Sequence, residues 1–107
     1  MNRKIETAIV VAPRIWKSSK NYNNSVEEIS LLISTLGVKV KGVVEQKINS
    51  INPTYFIGSG KAKQVIEQAK MLEVDYIIFD EDLSPVQTKN FQKLEKKIKF
   101  IDRSGVI

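Results

Sequence analysis

The chain has 107 residues, 17 Lys+Arg against 12 Asp+Glu, no His and no Cys, giving a formal charge of +5. That length suits one domain, residues 1–107, and 42% hydrophobic with 27% charged residues suits a packed core rather than disorder. Without thiol or imidazole there is no disulfide framework, no Ser-His-Asp or Cys-His catalysis and no zinc site of the usual kind.

The elements alternate. Ile5 to Ala12 ends in the run Ala8-Ile9-Val10-Val11, which reads as a strand buried on both faces and closed by Pro13. Arg14 to Asn24 reads as a basic loop holding Trp16 and Tyr22, with Trp16 suited either to plugging the core or to stacking on bases. Ser25, three residues before Glu28, has capping-box spacing and opens a helix to about Leu36, with Val26, Ile29, Leu32, Ile33 and Leu36 along one side and Leu31 off it. Gly37 supplies a left-handed stop. Val38 to Ile48 reads as the second strand, bent at Gly42. Asn49 to Pro53 is turn chemistry, and Thr54 to Ile57 reads as a short extended piece. A helix follows from about Lys61 to Glu73, then a strand over Asp75 to Asp80. Ser84, Pro85 and Gln87 form a capping box at the start of a third helix, which runs to about Lys97 and buries Phe91 and Leu94. Ile98 to Ile101 is the fourth strand, and Asp102 to Gly105 a turn.

This order predicts an α/β fold: an open four-stranded parallel sheet, preferred order 2-1-3-4, with the first helix on one face and the other two opposite. No apolar run approaches the roughly 20 residues that cross a bilayer, and Glu6 and Thr7 interrupt the run that a signal peptide would need. A soluble, cytoplasmic domain is expected.

Three constellations invite chemistry. Gly58-Ser59-Gly60-Lys61 stands at a helix start, where free N–H groups can cradle phosphate. It is not a Walker A loop, because Tyr55 stands where the first Gly belongs and Ala62 where Ser or Thr would hold magnesium. The alternative is a tight turn whose glycines allow positive φ and close helix–sheet packing. Asp80-Glu81-Asp82, just past the third strand, could bind metal or accept a phosphoryl group, but equally could favour the dipole of the helix at Ser84. Lys89, Lys93, Lys96 and Lys97 fall within about 100° at helical spacing, with Lys99 and Arg103 following. That row reads as a solvated face or as a footprint for nucleic-acid phosphates.

The segments Thr54 to Lys61, Phe79 to Gln87 and Ile101 to Ile107, in that order and spacing, resemble the amino-terminal domain of the HflX family of ribosome-associated GTPases, with mild departures at Phe56, Ser104 and Val106. The resemblance implies a longer protein whose helical hairpin and GTPase domain, with GTP and magnesium, lie beyond Ile107. This chain would then be a fragment or truncated product with no catalytic residue, metal or cofactor of its own. It further implies a partnership with the large ribosomal subunit and its RNA, and with the protein's own GTPase domain. Lys89, Lys93, Lys96, Lys97, Lys99 and Arg103 are the candidate RNA contacts. Gly58 to Lys61 is the alternative, a nucleotide-binding loop. An apolar patch including Leu31, Val106 and Ile107 would be left for docking or self-association.

Overall fold

The computed structural model describes residues 4–16, 22 and 24–107. Strand β1 (Thr7–Ile15) lies between β2 (Lys39–Ile48) and β3 (Tyr76–Phe79), and β4 (Lys99–Ile101) borders β3. All pairs are parallel and the order is β2-β1-β3-β4, as the sequence predicts. Ala8 to Ala12 are wholly buried because β1 is covered on both faces. Ala8 and Val10 meet Ile29 and Ile33 of helix α1 (Ser25–Thr35), while Ile9 and Val11 meet α2 (Ser59–Met71) and α3 (Pro85–Leu94). One helix therefore covers one face and two cover the other. A single turn, α4 (Arg103–Val106), supplements α1 by packing Val106 against its cluster.

Pro13 does not close β1. The strand runs on to Ile15, pairing with β2 through Arg14↔Lys47 and Ile15↔Ile48. Val11 accepts from the Asp80 N–H at 2.8 Å, so Val11 and, two residues on, Pro13 turn their backbone toward the β3 side. By Pro13 that strand has ended, and the missing donor leaves no gap in a ladder.

Helix α1 departs from its expected start. Asn24, in the left-handed region at φ 63°, precedes the first turn without a side-chain cap, and Ser25 is already helical. The Ser25 hydroxyl instead donates to the Asp80 carboxylate at 2.6 Å, a charge-assisted bond in place of the neutral backbone N–H that it would accept from as a cap. Of the expected apolar stripe, Ile29 and Ile33 are buried, but Leu32 and Leu36 are 45% and 67% exposed, because the helix beside α1 among the described residues is the single turn α4, too short to cover its flank. Gly37 stops it at φ 87°. In β2 the register skips Lys41, passing from Ala8↔Val40 to Ile9↔Gly42, which is a bulge at the expected bend.

Thr54 to Ile57 is a turn rather than an extended piece. Asn52 and Phe56 exchange backbone hydrogen bonds of 2.9 and 2.8 Å, and Asn52 Oδ1 accepts from the Thr54 N–H at 2.8 Å. Phe56 takes φ 68°, costly for a bulky residue, and its buried ring holds it there. The turn sets Tyr55 against Phe91 (centroids 5.2 Å apart), which also meets Phe79 at 4.9 Å and Phe100 at 5.0 Å. The Ser84–Gln87 capping box forms as expected.

Helix α3 ends at Leu94, three residues before its expected end. Glu95 turns extended (φ −144°, ψ 113°), and its carboxylate accepts from the Lys97 N–H at 2.9 Å and pairs with Lys70 at 3.2 Å. Leu94 is consequently 38% exposed rather than buried. The Lys97 N–H, then the Lys70 ammonium, hold the Glu95 carboxyl below its usual value of 4.5. A depressed folded-state value means that this group's contribution is present above pH 4.5 and is lost as pH falls through the lowered value. Urea midpoints of the protein should therefore fall on acidification below that point, and a Glu95→Gln variant should show a shallower decline over the same range.

Candidate functional site

The carboxyl end of a parallel sheet, where its strand order reverses, is where α/β folds gather polar groups. Here that point lies between β1 and β3, and Asp80 fills it with its side chain 1% exposed. Arg103 Nη2 donates to Asp80 Oδ1 at 3.1 Å and to the Asp80 carbonyl at 2.7 Å, and Nε reaches Oδ1 at 3.2 Å. Arg14 stands 3.6 Å from Oδ2, and its guanidinium lies 4.6 Å over the Tyr22 ring. With the Ser25 hydroxyl on Oδ2, this one carboxylate ties together β1, α1, β3 and α4.

The neighbouring acids are likewise engaged. Glu81 lies 3.8 Å from Arg103, and Asp82 accepts from the Ser104 hydroxyl at 2.7 Å. Asp102 accepts from the Leu83 N–H at 2.9 Å and caps α4 through the Gly105 N–H at 3.0 Å. Gly105 is required there, since a Cβ would stand 2.7 Å from Ile101 Cγ2. Gln87 donates to the Asn52 carbonyl at 2.8 Å and Asn90 to the Thr54 carbonyl at 3.0 Å. The second and third of the segments that carry the resemblance are thus joined directly by hydrogen bonds, and α3 ties the first to them through Asn90 on Thr54. Among the described residues, no three His, Cys, Asp or Glu side chains are grouped so as to hold a metal ion.

Gly58 to Lys61 is not a loop. Gly58 is the N-cap, and Ser59, Gly60 and Lys61 form the first turn of α2. The expected steric reason for the glycines is also absent: Gly58 has φ −62°, Gly60 is not at positive φ, and a Cβ on either would meet nothing within 4 Å. The turn carries no side-chain cap and no acidic residue, so its N–H groups face outward beside the exposed Lys61.

Because α3 ends early, the expected helical lysine face divides. Lys89 and Lys93 lie on α3, Lys96 and Lys97 on the turn after it, and Lys99 on β4. All five are exposed, and among the described residues none makes an ion pair. Arg103 does not share that surface, being committed to Asp80 with its side chain 28% exposed. Trp16 does not plug the core: it is 58% exposed at the end of β1. Lys17 and Lys20 of the basic segment lie outside the described residues. Leu31 and Ile107 are exposed as expected (69% and 88%), whereas Val106 is half-buried. No helix among the described residues is long and apolar enough to cross a membrane.

The sequence model of a family described as GTP-binding GTPase N-terminal matches residues 23–107. The chain is 31% identical over 102 residues to the GTPase HflX of Escherichia coli, covering 95% of this chain and 23% of that protein. To the GTPase HflX of Thermococcus kodakarensis it is 34% identical over 89 residues, 83% of this chain and 20% of that protein. It thus spans about a quarter of such relatives or less. In fold it resembles a GTP-binding protein from Sulfolobus solfataricus solved with GDP, with TM-score 0.66 and 22% identity over 94% of this chain and 28% of that one. A variant of SsGBP gives TM-score 0.71 at 20% identity, covering 94% and 30%.

Removing the Asp80 carboxylate leaves two largely buried guanidinium groups without their shared partner. Asp80→Ala should cost about 3–5 kcal/mol in urea unfolding, whereas removing the exposed Asp82 carboxylate should cost under about 1 kcal/mol.

Proposed function

Because the chain belongs to the GTP-binding GTPase N-terminal family of the HflX proteins, we propose that it is a non-catalytic accessory domain of a ribosome-associated GTPase. In this reading it helps the whole protein engage the RNA of the large ribosomal subunit and influences the GTPase domain, where GTP and magnesium would be held. The observation that carries it is the run of exposed lysines Lys89, Lys93, Lys96, Lys97 and Lys99, whose ammonium groups make no ion pair among the described residues. Such side chains can displace counterions from phosphates readily, since no internal ion pair must first be broken. Arg103 is better assigned to holding the fold than to RNA, given its bonds to Asp80.

Replacing Lys89, Lys93, Lys96 and Lys97 together by Glu should sharply weaken co-sedimentation with large ribosomal subunits while circular dichroism stays unchanged. The slope of log affinity against log salt should shrink by about 0.7–0.9 for each phosphate that is no longer neutralised. Equal binding by variant and wild type would remove the lysines from the reading.

A second reading rests on the bare start of α2. Gly58, Ser59, Gly60 and Lys61 offer free N–H groups, a helix dipole and an ammonium group, with no side chain obstructing approach. A nucleotide's phosphates fit that chemistry, though the turn has no hydroxyl after Lys61 to hold magnesium. Calorimetric titration with ATP and GTP should then give saturable heat that Lys61→Ala abolishes. Absence of heat at millimolar nucleotide would eliminate this reading.

A further inference from the structure

Strand β2 is an edge of the sheet, ten residues long, with β1 as its one strand neighbour among the described residues, whereas the opposite edge, β4, has three residues. Long free edges invite further pairing unless something blunts them. Here the first half is blunted by Lys39, Lys41 and the bulge, and the second half, Val43 to Ile48, by neither bulge nor proline. The Trp16 N–H donates to the Ile48 carbonyl at 2.7 Å, so Ile48 faces β1. By alternation Gln46 and Val44 do too, while Val43, Glu45 and Lys47 turn their own N–H and C=O groups outward.

We infer that this half-edge pairs with the same half-edge of a second copy of the chain, antiparallel about a two-fold axis at Gln46, making one eight-stranded sheet. In that register Glu45 stands opposite the second copy's Lys47, and Lys47 opposite its Glu45. Both pairs fall at hydrogen-bonding positions. Val44 stands opposite Ile48, again twice, and Gln46 meets its own counterpart. Glu45 and Lys47 are exposed, and Val44 and Ile48 are partly buried against the core, with a flank left to cover.

Among these registers the axis at Gln46 is the one that sets Glu45 against Lys47. Centring on Glu45 or Lys47 sets a charge against itself, centring on Val44 sets Lys41 against Lys47, centring on Ile48 sets Lys47 against the neutral Asn49, and centring on Val43 runs the pairing across the bulge at Lys41. Shifts that place the axis between residues would oppose an outward-turned residue to an inward-turned one and form no ladder. A contact of this length falls below the roughly 1,200 Å² of stable complexes, so the association is weak and depends on concentration.

Sedimentation equilibrium of the 107-residue chain, from tens of micromolar to millimolar, should show reversible dimerisation. E45K and K47E should each weaken it about tenfold by setting like charges opposite one another. The double variant E45K/K47E, which restores opposite charges in the same register, should recover wild-type affinity. Circular dichroism checks that all three remain folded. A chain that stays monomeric throughout, single variants that associate as tightly as wild type, or a double variant no tighter than the singles would each overturn the inference.

Discussion

The buried Asp80 carboxylate is the constraint around which the carboxyl end of the sheet is arranged. A charge with its side chain 1% exposed must be matched where it stands, and the matching groups come from three other elements: Ser25 from α1, Arg14 from β1 and Arg103 from α4. The price of dehydrating the group is geometric as well as energetic. The start of α1 and the whole of α4 must sit where their donors reach it, and α1 accordingly gives up the hydroxyl cap that its own sequence offers. Asp102 and Ser104 add parallel ties to Leu83 and Asp82, so the four-residue α4 is anchored by side chains at three successive positions.

This arrangement explains residues that would otherwise invite a chemical reading. An acidic triplet past a β-strand suggests a metal or phosphoryl site, yet Asp80 and Asp82 turn to different partners and Glu81 faces Arg103. Gly105 leaves the Ile101 side chain the space that a Cβ would take, and the Gln87 amide both completes a cap and reaches Asn52. Architecture accounts for these positions. Gly58 and Gly60 are different, because neither backbone angle nor neighbouring atoms demand a glycine at either position.

What could be read from the sequence follows the range of the interactions involved. Sheet order was legible because two-sided apolar strands and right-handed crossovers are properties of local pattern and chain connectivity. The Ser84–Gln87 cap was legible for the same reason, since both partners lie within one turn. Ser25 misled because its partner lies 55 residues away, and an acceptor that distant leaves no mark on the local spacing. The end of α3 was missed because helical periodicity continues through Lys96 and Lys97, while Glu95 breaks it by folding its carboxylate onto a backbone N–H two residues ahead. Of the candidate site, the lysines were identified correctly as exposed, but their common helical face was not real, and Arg103 gave no sign in the sequence of its bond to Asp80.

Pro13 has an effect on the sheet out of proportion to its own contacts. If β3 tried to lengthen past Phe79, its next rung against β1 would need the donor that a pyrrolidine ring lacks. The ladder between the two central strands therefore stops at the Asp80 N–H bond to Val11, and the Asp80 carbonyl, with no donor to meet on β1, accepts from Arg103 instead. A single imino acid in one strand thus acts as a ruler for its neighbour, and marks where regular pairing must yield to the ionic knot.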